Sequence, residues 1–142
     1  MKYFRQAHVV YNTQYHLVWI PRFRRKFLVS GVAKYLETQL DEVRKWYPDI
    51  VYVERNIQTD HVHLLVMIPP RMSVSRAVNI LKSNTSRALK EKFPFLSKLY
   101  ADGGGIWSVG YFVSSVGINE AIIRRYIRFQ EKEDSGQAKL AI

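Results

Sequence analysis

The pattern of apolar positions divides the chain into segments of different period. Residues 9–19 are rich in β-branched and aromatic side chains and close at Pro21, which predicts a first strand. Over residues 29–47 the period lengthens. Val32, Tyr35, Leu36, Leu40, Val43 and Tyr47 recur at three- and four-residue spacing, a helical face that Pro48 stops. Residues 50–57 and 61–68 predict two more strands. The link Gln58-Thr59-Asp60 is short enough to pair them as an antiparallel hairpin, and Pro69-Pro70 ends the second. Ser73 suits the N-cap of a second helix reaching about Lys92, with Val74, Ala77, Val78, Leu81, Thr85, Ala88 and Leu89 facing inward and Pro94 bounding it. Gly103-Gly104-Gly105 makes a turn before a fourth strand over residues 107–116, and Asn119 caps a third helix ending near Glu133. The order βαββαβ plus a terminal helix is that of an α+β, ferredoxin-like split-βαβ sheet. It places helices on one face and leaves the other face free for function.

Composition narrows this picture. A chain of 142 residues with 47% hydrophobic side chains suits one domain, expected over residues 1–134, with residues 135–142 as a flexible tail. No cysteine is present, which excludes disulfides, thiolate metal sites and cysteine nucleophiles and suits a reducing cytosol. The start lacks the apolar run of a secretory signal, and the longest apolar stretch, residues 64–70, is too short to span a bilayer. With 22 Lys+Arg against 12 Asp+Glu the formal charge is +10, which points to a polyanion: nucleic acid first, an anionic membrane second. Seven basic groups (Lys2, Arg5, Arg22, Arg24, Arg25, Lys26 and Lys34) precede the first carboxylate, Glu37, and that one-sidedness favours phosphate binding.

Candidate chemistry begins at His61-Val62-His63. Strand side chains alternate, so both imidazoles share one face, about 6–7 Å apart, while Val62, Leu64, Val66 and Ile68 share the apolar core face. Two imidazoles so mounted can converge on one divalent cation. Leu65 stands where a histidine-triad hydrolase needs its third histidine, and the paired His-x-Thr/Ser repeats of a two-histidine phosphodiesterase are absent. His8 and His16 are the only other histidines, and Glu54 and Asp60 the nearest carboxylates. His16, alternating with Tyr15 on the first strand, reads as a structural or supporting residue rather than a ligand. On the terminal helix, Tyr126 and Gln130 lie four residues apart and so stack on one side. One reading makes them a core aromatic and its helix-end neighbour. Another makes them chemical groups. Arg124, Arg128 and Lys132 form a separate basic row.

Five segments in this order are similar to the small single-tyrosine HUH transposases, the TnpA-type enzymes of bacterial and archaeal insertion sequences. They are residues 15–21 with the basic loop that follows, Asp60-His61-Val62-His63-Leu64-Leu65, Leu81-Lys82-Ser83, residues 107–114, and Tyr126-Ile127-Arg128-Phe129-Gln130. The resemblance implies a DNA transposase that cleaves and rejoins single-stranded DNA at hairpin-marked ends. Tyr126 would be the nucleophile, forming a 5′-phosphotyrosine, and His61, His63 and Gln130 would hold Mg²⁺ or Mn²⁺. A free tyrosine has a pKa of about 10, so about one in a thousand is phenolate at pH 7, a deficit of roughly 4 kcal/mol that the site must recover. Arg22, Arg24, Arg25, Lys26, Lys82, Ser83, Arg87, Arg124 and Arg128 are the candidate DNA contacts, with Phe23 available to stack on bases. The family resemblance further implies a homodimer through the 107–114 strand edge, able to offer each tyrosine helix to the partner's histidines. Gly117 would act as the hinge, in a prokaryotic cytoplasm and nucleoid-associated when acting. A domesticated repeat-associated tyrosine transposase would share every one of these residues. A catalytically silent single-strand-binding module accounts for the charge but not for the histidines and Tyr-x-x-x-Gln together.

Overall fold

The computed structural model describes residues 3–6 and 9–136. His8 and most of the expected tail, residues 137–142, lie outside the described residues. The chain runs β1 (Phe4–Gln6), β2 (Val9–Tyr11), β3 (Gln14–Trp19), a 3₁₀ turn at Arg22–Arg24, α1 (Ser30–Val43), β4 (Val51–Gln58), β5 (His61–Met67), α2 (Val74–Lys92), α3 (Pro94–Leu99), β6 (Phe112–Ser114) and α4 (Glu120–Asp134). The main sheet has the antiparallel order β4-β5-β3-β6. This is the expected α+β arrangement.

Alternation decides which face is which. Leu17 and Trp19 of β3 and Val62, Leu64 and Val66 of β5 are fully buried and form one core with Val32, Leu36 and Leu40 of α1 and Ala77, Val78, Leu81 and Leu89 of α2. The residues between them face the other way. That second face is not free, in contrast to the sequence expectation. Val18 and Ile20 present apolar surface there, and α4 covers it with Ile123 and Ile127. Two unpaired apolar surfaces, one on the sheet and one on an amphipathic helix, bury each other by the ordinary hydrophobic drive.

Helix starts follow the sequence closely. The Ser73 hydroxyl accepts from Arg76 N at 3.1 Å, and the Asn119 side chain accepts from Ile122 N at 2.9 Å. Other elements differ. The segment expected as one strand from residue 9 breaks at Asn12-Thr13, and β2 pairs with β1 in a separate two-stranded ribbon. Pro94, read as a stop, also occupies the first turn of α3, where its fixed φ is well suited. The fourth strand is three residues long instead of about ten. The carbonyls of Ser108 and Gly110 turn instead to the Lys82 ammonium, the latter at 2.9 Å, so residues 109–111 lie outside the ladder, while Ser108 N still donates to Ile20 O at 3.0 Å. Trp107 keeps a single bridge to Pro21.

Candidate functional site

The histidine pair sits where β5 alternation puts it, on the face that α4 covers. His61 is 2% exposed, and its Nδ1 lies 2.9 Å from Asp60 Oδ1. Asp60 is 4% exposed. Its Oδ2 accepts from Arg24 Nε at 3.0 Å and from Arg124 Nη1 at 3.5 Å. Burial alone would raise the Asp60 carboxyl, but the hydrogen bonds from His61 and Arg24 outweigh it and hold the group below the usual carboxylate range. His63 Nε2 lies 3.1 Å from His16 Nδ1, with the rings tilted by 40°. Burial, and then repulsion from His16 and His61, push His63 below the usual imidazole value against the opposing pull of Glu54 and Glu120. Neutral imidazole is the form that binds metal. Beside the pair on β4, Asn56 is opposite His63 and Gln58 opposite His61, and Gln58 Nε2 donates to Asn56 Oδ1 at 2.7 Å.

The tyrosine lies on α4 as expected, but on the flank away from His61. Residues 124 and 126 differ by about 200° around a helix axis, with Ile123 and Ile127 facing the sheet between them. Arg124 reaches Asp60, next to His61, whereas the Tyr126 ring packs on Phe112 of β6 with centroids 5.8 Å apart. Tyr126 Oη donates to Gln130 Oε1 at 3.3 Å, and Gln130 Nε2 donates to Asp134 Oδ1 at 3.1 Å. The second Asp134 oxygen accepts from Phe23 N at 2.8 Å and from the Ser108 hydroxyl. Burial, followed by the Asp134 charge, raises the Tyr126 phenol above its ordinary value, so in this position it holds its proton firmly.

The predicted residues therefore form two groups within one chain. One is His61 and His63, with Asp60 and His16 beside them; the other is Tyr126 and Gln130, joined by Asp134, which the sequence did not single out. The set His61, His63 and Gln130 is not assembled in a single chain, because Gln130 is bonded to Tyr126 and Asp134. Among the described residues, no cluster of three or more His, Cys, Asp or Glu could hold a metal ion. Two imidazole nitrogens on a rigid strand do fit a divalent cation as a partial ligand set, and the amide oxygen of Gln130 is a chemically suitable addition when an α4 is set against them.

Most of the candidate DNA-binding groups already have partners within the chain. Arg22 forms a fork with Asp102 at 2.8 and 3.1 Å, Arg24 joins Asp60 and Glu131, and Arg25 donates to the Leu99 carbonyl. Lys82 grips the loop before β6, and burial brings its ammonium pKa down to about 8. The Ser83 hydroxyl donates to Asn79 O, Arg87 bonds Asn84, and Arg124 also pairs with Glu120. Lys26 and Arg128 are exposed. A groove of about 560 Å³ follows the polar side of α2, lined by Asn79, Lys82, Ser83, Ser86, Arg87 and Lys90 among others. Sequence reasoning missed the grip of Lys82 and the part played by Asp134. Their partners lie more than twenty residues away for Lys82 and Ser108, and over a hundred for Phe23, and carry no local signal.

Comparison with known proteins sets this geometry in a family. The family described as "Transposase IS200 like" matches residues 9–130. The transposase for insertion sequence element IS200 of Salmonella typhimurium is 35% identical over 136 residues, covering 96% of this chain and 88% of that protein. The ISDra2 transposase TnpA of Deinococcus radiodurans is 31% identical over 127 residues, covering 88% and 89% respectively. A crystal structure of a Deinococcus radiodurans R1 protein assigned as a transposase superposes with a TM-score of 0.77 at 30% identity, over 92% of this chain and 98% of that one. The structure of a REP-associated tyrosine transposase bound to a REP hairpin shares the fold, with a TM-score of 0.55 at 14% identity over 98% and 77%. With a family match from the second strand to Gln130 and relatives above 30% identity over nearly the whole length, the chain belongs to the IS200-like transposases.

Proposed function

We propose that this transposase cleaves and rejoins single-stranded DNA at hairpin-marked ends of its element, with Tyr126 as the nucleophile. The observation that carries the reading is the hydrogen-bonded pair Tyr126–Gln130 on a helix that docks over the face bearing His61 and His63. Attack by Oη on the scissile phosphorus breaks the bond to the 3′ oxygen. The proton lost by the phenol is balanced by one taken up, through water, by the departing 3′ oxygen, and a 5′-phosphotyrosine and a free 3′-OH remain. A later 3′-OH attacks the same phosphorus and returns the tyrosine, so joining needs no nucleotide cofactor. When bound by His61, His63 and Gln130, Mg²⁺ or Mn²⁺ would polarise the phosphate and stabilise the leaving oxygen.

The raised phenol of Tyr126 and its separation from the histidines mark the docked α4 as a resting position. The active position sets Tyr126 and Gln130 against a histidine pair, and a second copy supplies one without unfolding the first. A homodimer across the β6 edge agrees with the exposed Val113 and Val116 on and after that strand. Gly117, just before the helix, is placed to serve as the hinge. Lys26 and Arg128 are the exposed groups for phosphate, joined by Lys82, Ser83 and Arg87 of the α2 groove and by Arg22, Arg24, Arg25 and Arg124 where DNA displaces their internal partners. Such a protein acts in a prokaryotic cytoplasm, on the nucleoid. Among the described residues no helix is long and apolar enough to cross a membrane.

The test uses single-stranded oligonucleotides from the genomic flanks of the gene, with Mg²⁺ or Mn²⁺, resolved on a denaturing protein gel. A slower protein–DNA band that is lost with Tyr126→Phe and with EDTA is expected. Tight binding with no adduct would replace this reading with a silent binding module.

A further inference from the structure

Asp60 has a place in the site that the transposition chemistry alone does not assign. Its carboxylate is buried and takes donors from three separate elements: His61 on β5, Arg24 in the basic turn and Arg124 on α4. A carboxylate held between two guanidinium groups can only accept, so the ring nitrogen facing it must donate. The contact at 2.9 Å therefore places a proton on Nδ1 of His61 and makes Nε2 the ring nitrogen left for another partner. No protein hydrogen bond among the described residues engages Nε2.

We propose that Asp60 is a positioning residue that fixes the Nδ1–H tautomer of His61 so that Nε2 is presented to the divalent cation. The inference rests on the metal reading of His61 and His63 above. Its physical content is an acceptor behind a ligand, which orients the ring and raises its basicity. The arrangement also links the two halves of the site. The oxygen not used by His61 is shared with Arg124, two residues before Tyr126, and Arg24 additionally binds Glu131, seven residues after Arg124 on the same helix. The group that orients the histidine is thus one of the groups on which the tyrosine helix docks.

The substitution Asp60→Asn gives a sharp test because an amide is not symmetric. Arg24 and Arg124 both demand an acceptor, so the amide oxygen turns to them and the NH₂ faces His61 Nδ1. The imidazole must then accept at Nδ1 and move its proton to Nε2. Two readouts are used: the histidine tautomers by ¹H–¹⁵N correlation in the metal-free protein, and Mn²⁺ affinity by calorimetry well below the melting temperature.

The wild type is expected to show Nδ1–H at His61 and Mn²⁺ binding that His61→Ala weakens. Asp60→Asn is expected to show Nε2–H and about 10–100-fold weaker Mn²⁺ binding. Arg124→Gln should keep the wild-type tautomer, since Arg24 still holds the carboxylate. An Nε2–H tautomer in the wild type overturns the proposal even if Asp60→Asn does not fold. Unchanged tautomer and affinity in Asp60→Asn overturn it as well. Absence of Mn²⁺ binding by the wild type would overturn the metal reading and this role with it, and is recognisable because His61→Ala would then change nothing.

Discussion

Gly110 gives the most direct handle on how Gln130 is held. A Cβ at this position would lie 2.4 Å from Gln130 Oε1 and 3.2 Å from its Cδ, so the amide must retreat by about 1 Å to reach the 3.4 Å of ordinary contact. A free glutamine would simply swing aside. This one is 7% exposed and held at both ends, by Tyr126 Oη and by Asp134. The longer bond from the phenol contributes about 0.5–1 kcal/mol and the charge-assisted bond to Asp134 about 1.5–3 kcal/mol. Asp134 keeps Phe23 N and Ser108 as donors, so it is not orphaned, and the lower part of the range applies. Gly110→Ala should cost about 2 kcal/mol, roughly 5–8 °C of melting temperature for a chain of this size. The assay is urea unfolding of wild type, Gly110→Ala, Gln130→Ala and the double variant. In the Gln130→Ala background the collision partner is gone, so the alanine should be close to neutral there. An equal cost in both backgrounds, or no cost in the wild type, would refute the account of Gln130 as a clamped side chain.

Further outcomes follow from other parts of the structure. Mixing Tyr126→Phe with a His61→Ala/His63→Ala protein should restore covalent DNA adduct on the histidine-deficient chain, because its tyrosine can use the other copy's histidines; failure on a confirmed mixed dimer would refute assembly between copies. The Lys82 pKa is depressed to about 8 from 10.5, so between those values the unfolded chain holds a proton the folded chain has lost. Wild-type stability should accordingly rise from pH 8 towards pH 10 relative to Lys82→Met, by no more than about 3 kcal/mol, and a flat difference in parallel denaturant titrations would refute it. Above pH 10 the raised phenols, Tyr100 at about 12 among them, act in the opposite sense, since the unfolded chain then ionises first. Ser73→Ala removes the hydrogen bond to Arg76 N and should cost about 1 kcal/mol in the same measurement.

What sequence reveals here depends on how local the cause is. β5 and the two capped helix starts were readable because alternation and a cap act within a few residues. The histidine pair and Tyr-x-x-x-Gln were readable for the same reason. The length of β6 was not, since Lys82 on another element takes the carbonyls that a longer strand would pair. The coverage of the second sheet face by α4 was also hidden, because an amphipathic helix advertises its own apolar stripe and not the surface it will choose. Asp60 stands beside His61 in the sequence, yet its role needed Arg24 and Arg124, which approach from residues 36 and 64 positions away.

The 3₁₀ turn after β3 holds two successive side-chain-bearing residues in left-handed backbone, Phe23 at φ 64° and Arg24 at φ 55°. Each such residue costs roughly 1–2 kcal/mol. The contacts that hold them there include the last turn of α4: Asp134 accepts from Phe23 N, and Glu131 accepts from Arg24. Under the proposed undocking of the tyrosine helix both contacts would be lost at once, which would let the turn relax to right-handed or extended backbone. That relaxation would return part of the energy lost on undocking, which would make the turn a small compressed spring beneath the helix. In the proposed cycle its basic side chains would change direction as it opens, together with the release of Tyr126.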